Sequence, residues 1–418
     1  MFEYKNNHKK IFSFILLLII FLIPVFVSSF LKFDVNNSPV YLLHAKEFII
    51  SGQIKSNFFP IGYTAILLPG YLLAGITGIL ITQAIFYIVA ILIIFSFLGK
   101  DLKCPFENFL FYFLLTIVFH PYILKNIISV NDNAVSILFI AVYCVWILKD
   151  RASILSKKNA ILIGLTTGLW ITIRPNIALI TLLPIYVIYN ELNNSTAKTW
   201  SGKFYFIFKS KKNYLRYILI FFFSIFIAFA TVNLLLKNKI IYWPEYGFYT
   251  LFVGNNPYSI DFYLKYLDGE QSIPSALKHY NQTEALLLND FYNFDPNKYL
   301  ILVFKFFIEN PVKAIATFFI KFYVFFGPNL VLATTLLKKI IQVLLILPFF
   351  IWVYFICRIS INNNSFKKIL IPIIFVILYV FPFLIINSTP RYRMPILDVF
   401  FIVHVIYIYK NKNYFRVN

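Results

Sequence analysis

The chain has 418 residues, of which 60% are hydrophobic and only 13% are charged, and its mean hydropathy is +0.77. A water-soluble domain needs more polar surface than this to cover its core, so the composition argues against an ordinary soluble protein and favours an integral membrane protein with many spans. The net charge of +21 is better explained by Lys and Arg in cytoplasmic loops than by nucleic-acid binding.

Long hydrophobic runs predict membrane-spanning helices, each near the ~20 residues that a bilayer requires or slightly shorter. The runs fall at 11–31, 75–98, 108–124, 134–148, 159–173, 176–190, 216–236, 340–357, 369–387 and 393–409. The predicted fold class is therefore an all-α, polytopic transmembrane helical bundle of about ten spans, with a range of about 9–12, forming one domain over residues 1–418. Basic segments before the first run and at 149–159, 190–216 and 410–416 are expected in the cytoplasm.

Two external loops are expected between these spans. The first covers residues 32–74, and its stretch FFPIGYTAILLPGYLLA (58–74) is expected to lie in the membrane interface rather than to span the bilayer. The second is large and covers residues 237–310. Overlapping the end of this loop, Lys305, Lys313 and Lys321 recur every eight residues, which predicts one basic face on an interfacial helix over 298–327. If 311–327 spans instead, the topology of everything after it inverts.

Asp34 is a single acid directly after the first predicted span. An isolated Asp there is commonly no more than a water-exposed residue at a helix end. The loop that it opens, however, is long and rich in aromatic residues, Pro and Gly, and such loops are more often sites than connectors. Asp34 is therefore a candidate catalytic residue.

Asp132 is a second candidate acid, at the start of the predicted span 134–148. Asn131, Asp132 and Asn133 are all good helix caps, so a capping role and a functional role are equally open.

Arg174 lies before Pro175, between two apolar runs. A charge at the bilayer centre costs about 2.5–3.5 kcal/mol on insertion scales, so Arg174 is expected at a membrane boundary. It either snorkels to the interface or binds an anionic group.

The segment NSTPRYRMPILDVF (387–400) places Arg391 and Arg393 on either side of Tyr392, before the last span. Guanidinium groups bind phosphate in a bidentate fork, so these arginines are candidate phosphate ligands. Asp398, inside the last span, is expected to be a buried acid or an arginine partner.

Gly254, Asn255, Asn256 and Pro257 predict a turn in the large loop. An aromatic loop rich in amides suits sugar binding, although an ordinary turn explains the pattern equally well. Neither the spacing of Cys and His residues nor any other pattern predicts a metal site, and no cofactor is expected.

The order of these motifs resembles the GT-C superfamily of membrane glycosyltransferases, in particular the bacterial branch similar to protein O-mannosyltransferases and lipid A aminoarabinose transferases. The resemblance rests on the first-loop acid, a G-L-x-x-x-x-R-P element ending at Pro175, and a P-R-Y-x-x-P motif before the last span. Further matching positions, in the first loop and at the first residue of the next span, are Tyr41, Leu42, Ala45, Gly52, Pro60, Gly62, Tyr63, Leu67, Pro69, Tyr71 and Gly75.

The resemblance implies an inverting glycosyltransferase on the external face of a bacterial cytoplasmic membrane. It implies a polyprenyl-phosphate sugar as donor, a glycan, lipid or protein as acceptor, and no nucleic-acid partner. Asp34 would be the base and Asp132 would orient the acceptor or the base. The remaining implied roles are phosphate binding by Arg174, Arg391 and Arg393, and substrate binding by Tyr63, Asn255, Asn256 and Tyr392. A polysaccharide polymerase or a lipid-linked glycan flippase is the alternative, since such proteins also combine many spans with external arginines.

Overall fold

The computed structural model describes residues 38–57, 59–99, 130–148, 155–194, 200–257, 259–260, 263, 295–327, 346–360, 363–386, 393 and 396–410. These residues are mostly helical and contain no strand, which confirms the all-α class. The predicted spans 11–31 and 108–124 lie outside the described residues. The helices, in chain order, are α1 Ser38–Ser51, α2 Gly62–Gly99, α3 Asp132–Leu148, α4 Lys157–Ile173, the 3₁₀-helix η1 Pro175–Leu182, α5 Leu183–Asn194, α6 Trp200–Lys237, α7 Tyr246–Gly254, α8 Pro296–Glu309, α9 Pro311–Phe326, α10 Leu347–Ser360, α11 Asn363–Ile385 and α12 Leu397–Lys410.

Helix α2 is bent where the sequence predicts a boundary between an interfacial segment and a span. Ala74 and Gly75 have non-helical dihedral angles, and Gly75 has a φ of +57°, which a residue without Cβ adopts readily. The two arms of the bend approach closely, because a Cβ built on Gly78 would lie 1.8 Å from the carbonyl oxygen of Gly70. The first arm has about twelve residues and is about 18 Å long, which is too short to span a bilayer alone.

Helices α4 and α6 pack through small residues. A Cβ on Gly164 would lie 2.6 Å from the Phe221 carbonyl oxygen, and a Cβ on Gly168 would lie 2.8 Å from the Ala228 Cβ. Glycines four residues apart let two backbones approach in this way, as in the small-xxx-small contacts of membrane helices. This packing holds the end of α4, and hence Arg174, in a fixed position.

Three expectations need correction. The basic segment 190–216 is not a loop throughout, because α6 already begins at Trp200 and runs unbroken to Lys237. The predicted span 176–190 begins as the 3₁₀-helix η1, since Pro175 interrupts the preceding α-helix. The segment 298–327 is two helices that meet at Asn310, where Pro311 begins the second one.

The lysines of that segment do not form one exposed face. Lys305 and Lys313 are exposed, whereas Lys321 is buried in the protein. A spacing of eight residues advances a helix by about 80°, and the break at Asn310 adds a further change of direction, so the third lysine turns inward.

Two helices in the described part of the chain are long and apolar enough to cross a membrane, Gly62–Leu98 and Asn213–Lys237. In the second helix, only 33% of its most apolar stretch is buried inside the protein. Its exposed side chains include Leu215, Leu219, Phe223 and Phe226, which lie three or four residues apart and so share one face. A continuous exposed apolar stripe is unfavourable in water, and it supports association with a membrane.

Candidate active site

A cavity of about 520 Å³ lies where the first loop, the start of α3, the end of α4 and the end of α11 meet. One side is polar and the rest is aromatic and aliphatic. Such a cavity is suited to an amphipathic ligand, because apolar walls supply contact area and a few polar groups fix orientation. Its lining residues are Val40, Tyr41, Phe59, Pro60, Asn131, Asp132, Asn133, Ile173, Arg174, Pro175, Asn176, Ala178, Leu179, Trp243, Pro244, Gly247, Phe248, Leu251, Pro382, Phe383, Ile385 and Ile386.

Two residues singled out from the sequence, Asp132 and Arg174, form an ion pair on the polar side. The Nε of Arg174 lies 2.7 Å from the Oδ2 of Asp132, and its Nη2 donates to the Oδ1 of Asn133. The Arg174 side chain is 6% exposed and the Asp132 side chain is 18% exposed. Charge-assisted hydrogen bonds of this kind hold a guanidinium in one orientation.

Local sequence explains how both residues reach the pair. The residue before a proline avoids the helical region, and Arg174 accordingly leaves the helix with φ −138° and ψ 85°. On the other side, Asn131 caps α3, because its Oδ1 accepts from the backbone N–H of Asn133 at 3.0 Å. The carboxylate of Asp132 is thereby available to Arg174, while Asn131 supplies the cap, and the functional role of Asp132 stays a prediction.

Tyr63 does not line the cavity. Its side chain is fully buried, and its hydroxyl donates to the Oε1 of Gln83, which also accepts from the backbone N–H of Asn131 at 3.1 Å. The ring of Tyr41, which does line the cavity, meets the ring of Tyr63 edge-on at 4.5 Å between centroids. Tyr63 thus supports the cavity wall from behind, and its predicted contact with substrate stays a prediction.

Lys237, which the sequence did not single out, fixes the first loop against the end of α6. Its ammonium donates to the carbonyl oxygens of Ile54 at 2.8 Å and Ser56 at 2.7 Å, and to the Oδ1 of Asn57 at 2.9 Å. The Tyr242 hydroxyl donates to the carbonyl oxygen of Asn57 at 2.8 Å. These bonds set the path of the loop just before Phe59 and Pro60, two residues that line the cavity.

Asn255 and Asn256 are buried, and neither lines the cavity. The Nδ2 of Asn255 donates to the carbonyl oxygens of Leu251 at 2.7 Å and Ile385 at 2.8 Å. The Nδ2 of Asn256 donates to the carbonyl oxygen of Phe252 at 3.0 Å. Both amides therefore satisfy backbone groups around α7 in this structure, and their predicted role in substrate binding stays a prediction.

Lys321 joins the Asn255 network from α9. Its Nζ donates to the Asn255 Oδ1 at 2.8 Å and to the carbonyl oxygens of Ile385 at 2.9 Å and Ile386 at 3.3 Å. Burial lowers the pKa of the Lys321 ammonium well below its usual value. The three acceptors nevertheless match the three protons of the charged form, which the geometry therefore favours.

Arg393 is fully buried away from the cavity lining. Its Nε lies 3.4 Å from the Oδ1 of Asp398, and its Nη1 donates to the carbonyl oxygen of Phe326. The expectation that Asp398 is a buried partner of an arginine is confirmed. Phosphate binding by Arg393 stays a prediction, and the geometry favours a packing role for it.

His44 lies one turn along α1 from the cavity-lining residues Val40 and Tyr41. It is fully buried, and neither ring nitrogen has a hydrogen-bond partner among the described residues. Burial lowers its pKa to about 4, so the imidazole is neutral at pH 7.

Three predicted site residues, Asp34, Arg391 and Tyr392, lie outside the described residues. No protein-family model, curated protein or solved structure matches this chain. The features of the molecule that point to a function are the sequence motifs and the cavity around Asp132 and Arg174.

Proposed function

We propose that this protein is an integral membrane glycosyltransferase that transfers a sugar from a polyprenyl-phosphate donor to an acceptor hydroxyl. The proposed place is the external face of a bacterial cytoplasmic membrane. The observation that carries the proposal is the Arg174–Asp132 pair on the polar side of a cavity with apolar walls. A polyprenyl-phosphate sugar has the same division, with an anionic phosphate and a sugar at one end and a hydrocarbon chain at the other.

Arg174 is the residue proposed to face the donor phosphate. Its guanidinium remains charged in any protein environment, and a preoriented cation stabilises the negative charge that develops on a departing phosphate. Asp132 and Asn133 hold two of its nitrogens, so the group does not have to reorganise during the reaction. Asp132 is accordingly a positioning residue for Arg174.

The base in this proposal is Asp34, which precedes the cavity-lining Val40 by six positions in the chain. Asp34 takes the proton of the acceptor hydroxyl while the oxygen attacks the anomeric carbon. The bond between that carbon and the phosphate oxygen breaks, and polyprenyl phosphate leaves with the electron pair. One displacement inverts the anomeric configuration, and the step consumes no other reactant.

The apolar stripe of α6 and the apolar walls of the cavity support a lipid-linked donor over a soluble one. Trp243 and Phe248 add aromatic surface to the cavity lining, and aromatic faces suit the apolar faces of sugar rings.

The test is transfer of labelled sugar from polyprenyl-phosphate donors to membrane acceptors in liposomes. Asp34→Asn keeps the size of the side chain and removes the base, and we expect loss of transfer with retained binding of the donor. Glu309→Gln is the matched control, because Glu309 is exposed on α8 and pairs only weakly with Lys305 at 3.7 Å. Transfer by Asp34→Asn at the wild-type rate would exclude Asp34 as the base, and absence of transfer by the wild type with every donor would contradict the proposed function.

A further inference from the structure

The pair of Arg174 and Asp132 brings no net charge to the cavity, because the carboxylate offsets the guanidinium. An anionic ligand group gains more from a wall with a positive potential than from a neutral ion pair. Another source of positive charge close to the cavity would therefore matter for any such ligand.

Another part of the cavity wall is formed by the C-terminal end of α11. Pro382, Phe383, Ile385 and Ile386 all line the cavity there. The last carbonyl groups of a helix lack intrahelical partners, and the helix dipole makes this end negative. Left uncompensated, this wall would repel an anion.

Lys321 compensates that helix end from behind the wall. It is 1% exposed, and its ammonium binds the carbonyl oxygens of both Ile385 and Ile386. Asn255 supplies the third acceptor and is tied in turn to the carbonyl oxygen of Leu251, another lining residue. The charge is thus fixed at one place, beside two parts of the wall, without entering the cavity.

We propose that Lys321 is a buried counter-charge that makes the α11 wall of the cavity favourable for an anionic ligand group. It acts through the carbonyl groups of Ile385 and Ile386 and is a positioning residue rather than a catalytic one. The link to a lipid phosphate rests on the proposed function, whereas the effect on the potential of the wall does not.

The potential can be measured without any substrate. A cysteine is introduced at Ile386, which lines the cavity and is half-buried, after Cys104, Cys144 and Cys357 have been replaced by alanine. Its reaction rate is compared for two methanethiosulfonate reagents, one with an anionic sulfonate and one with a cationic trimethylammonium group. The ratio of the two rates reports the local potential and cancels changes in access or in thiol ionisation.

In Lys321→Met we expect the ratio of anionic to cationic rates to fall by about tenfold, which corresponds to about 1.4 kcal/mol. The same substitution at Lys313, exposed on the same helix, is expected to leave the ratio unchanged. An unchanged ratio in Lys321→Met, even with both rates raised, would assign Lys321 to packing and overturn the proposal.

Lys321→Met alone removes the Lys321 donor from the Asn255 Oδ1 and leaves the Ile385 and Ile386 carbonyl oxygens with the Asn255 Nδ2 as donor, so it endangers the fold. The measurement is then made in Lys321→Gln, which removes the charge and keeps a hydrogen-bond donor at this position. A fall of the ratio in Lys321→Gln supports the counter-charge. Failure of both variants to fold would assign Lys321 to the stability of the protein and overturn the proposal.

A second comparison connects the wall to the ligand. In Lys321→Met the affinity for undecaprenyl phosphate should fall by about tenfold more than the affinity for undecaprenol, which has no phosphate. Equal losses for both lipids would contradict an electrostatic role. A wild type that binds neither lipid but shows the expected ratio of rates would retain the counter-charge and remove the proposed donor.

Discussion

Two Arg–Asp pairs in this protein have the same chemistry and different surroundings. Arg174 and Asp132 are 2.7 Å apart at the edge of a cavity, whereas Arg393 and Asp398 are 3.4 Å apart with both side chains fully buried. The first pair can meet a ligand and water, and the second meets only protein among the described residues. What an arginine in a sequence motif can bind therefore depends on the groups that surround its guanidinium in the folded protein.

The largest expected effect concerns the buried pair. Arg393→Met leaves the Asp398 carboxylate buried without its cation, and breaking such a pair costs about 3–5 kcal/mol of stability. Thermal unfolding in detergent should show a large fall in the midpoint or no folded protein at all. Arg358→Met, at an exposed site on α10, is the control and should change little. A stable Arg393→Met variant that has lost donor binding would reverse the contrast between the pairs.

A substitution in the pair of Arg174 and Asp132 should lower the transfer activity more than the stability. Under the proposed function, Arg174→Gln removes the donor that faces the developing phosphate charge, so we expect kcat for transfer to fall by about 10²–10³-fold. Stability should fall less than in Arg393→Met, because water in the cavity can reach Asp132, which is 18% exposed. Arg216→Gln, exposed on α6, is the matched control for both measurements. Equal losses of stability from Arg174→Gln and Arg393→Met would remove the distinction.

A third prediction concerns pH and His44, which lies one turn along α1 from the cavity-lining residues Val40 and Tyr41. The pKa of His44 is lowered to about 4 by burial from an ordinary value of 6.5, so the unfolded chain binds a proton more readily between these values. The free energy of unfolding therefore has its full value above pH 6.5. It falls by up to about 3 kcal/mol as the pH falls toward 4, because the unfolded chain takes up the proton first. Unfolding midpoints between pH 7 and 4.5 should fall further in the wild type than in His44→Leu. Parallel curves for the two proteins would contradict the prediction.

The smallest expected effect tests how the first loop supports Arg174. A Cβ on Gly62 would lie 2.0 Å from the Oγ1 of Thr172, two residues before Arg174, so Gly62→Ala must shift one of the two segments. Overpacking of this kind costs about 1–3 kcal/mol, and kcat should fall with it. Gly247→Ala is the control for stability, since a Cβ there meets nothing within 4 Å. A Gly62→Ala protein with the stability of the wild type would show that the contact is not tight.

Local sequence predicted the parts of the site that local rules determine. Pro175 fixes the break that presents Arg174, and the cluster of caps at Asn131 fixes the start of α3. The bend at Gly75 falls at the boundary that the sequence predicted between the interfacial stretch 58–74 and the span 75–98. Each of these depends on neighbours within a few residues.

The contacts that the sequence did not predict join distant parts of the chain. Lys321 binds Asn255 and Ile385, which lie 66 and 64 positions away. In the sequence it is only the third lysine of a regular series, and nothing near it indicates that it is buried. Lys237 binds a loop 183 positions earlier through backbone carbonyl groups, which carry no sequence signal at all. Asn255 lies in a loop whose composition suits sugar binding, but its side-chain amide donates to backbone carbonyl oxygens of α7 and α11.

The most direct test of the central claim is the affinity for undecaprenyl phosphate of the wild type, Arg174→Gln and Arg216→Gln in lipid nanodiscs. A charge-assisted hydrogen bond to phosphate corresponds to about 10- to 100-fold in affinity. We expect Arg174→Gln to bind more weakly by that factor and Arg216→Gln to bind like the wild type. Equal affinity of all three proteins would contradict the claim that the cavity at Arg174 receives the donor phosphate.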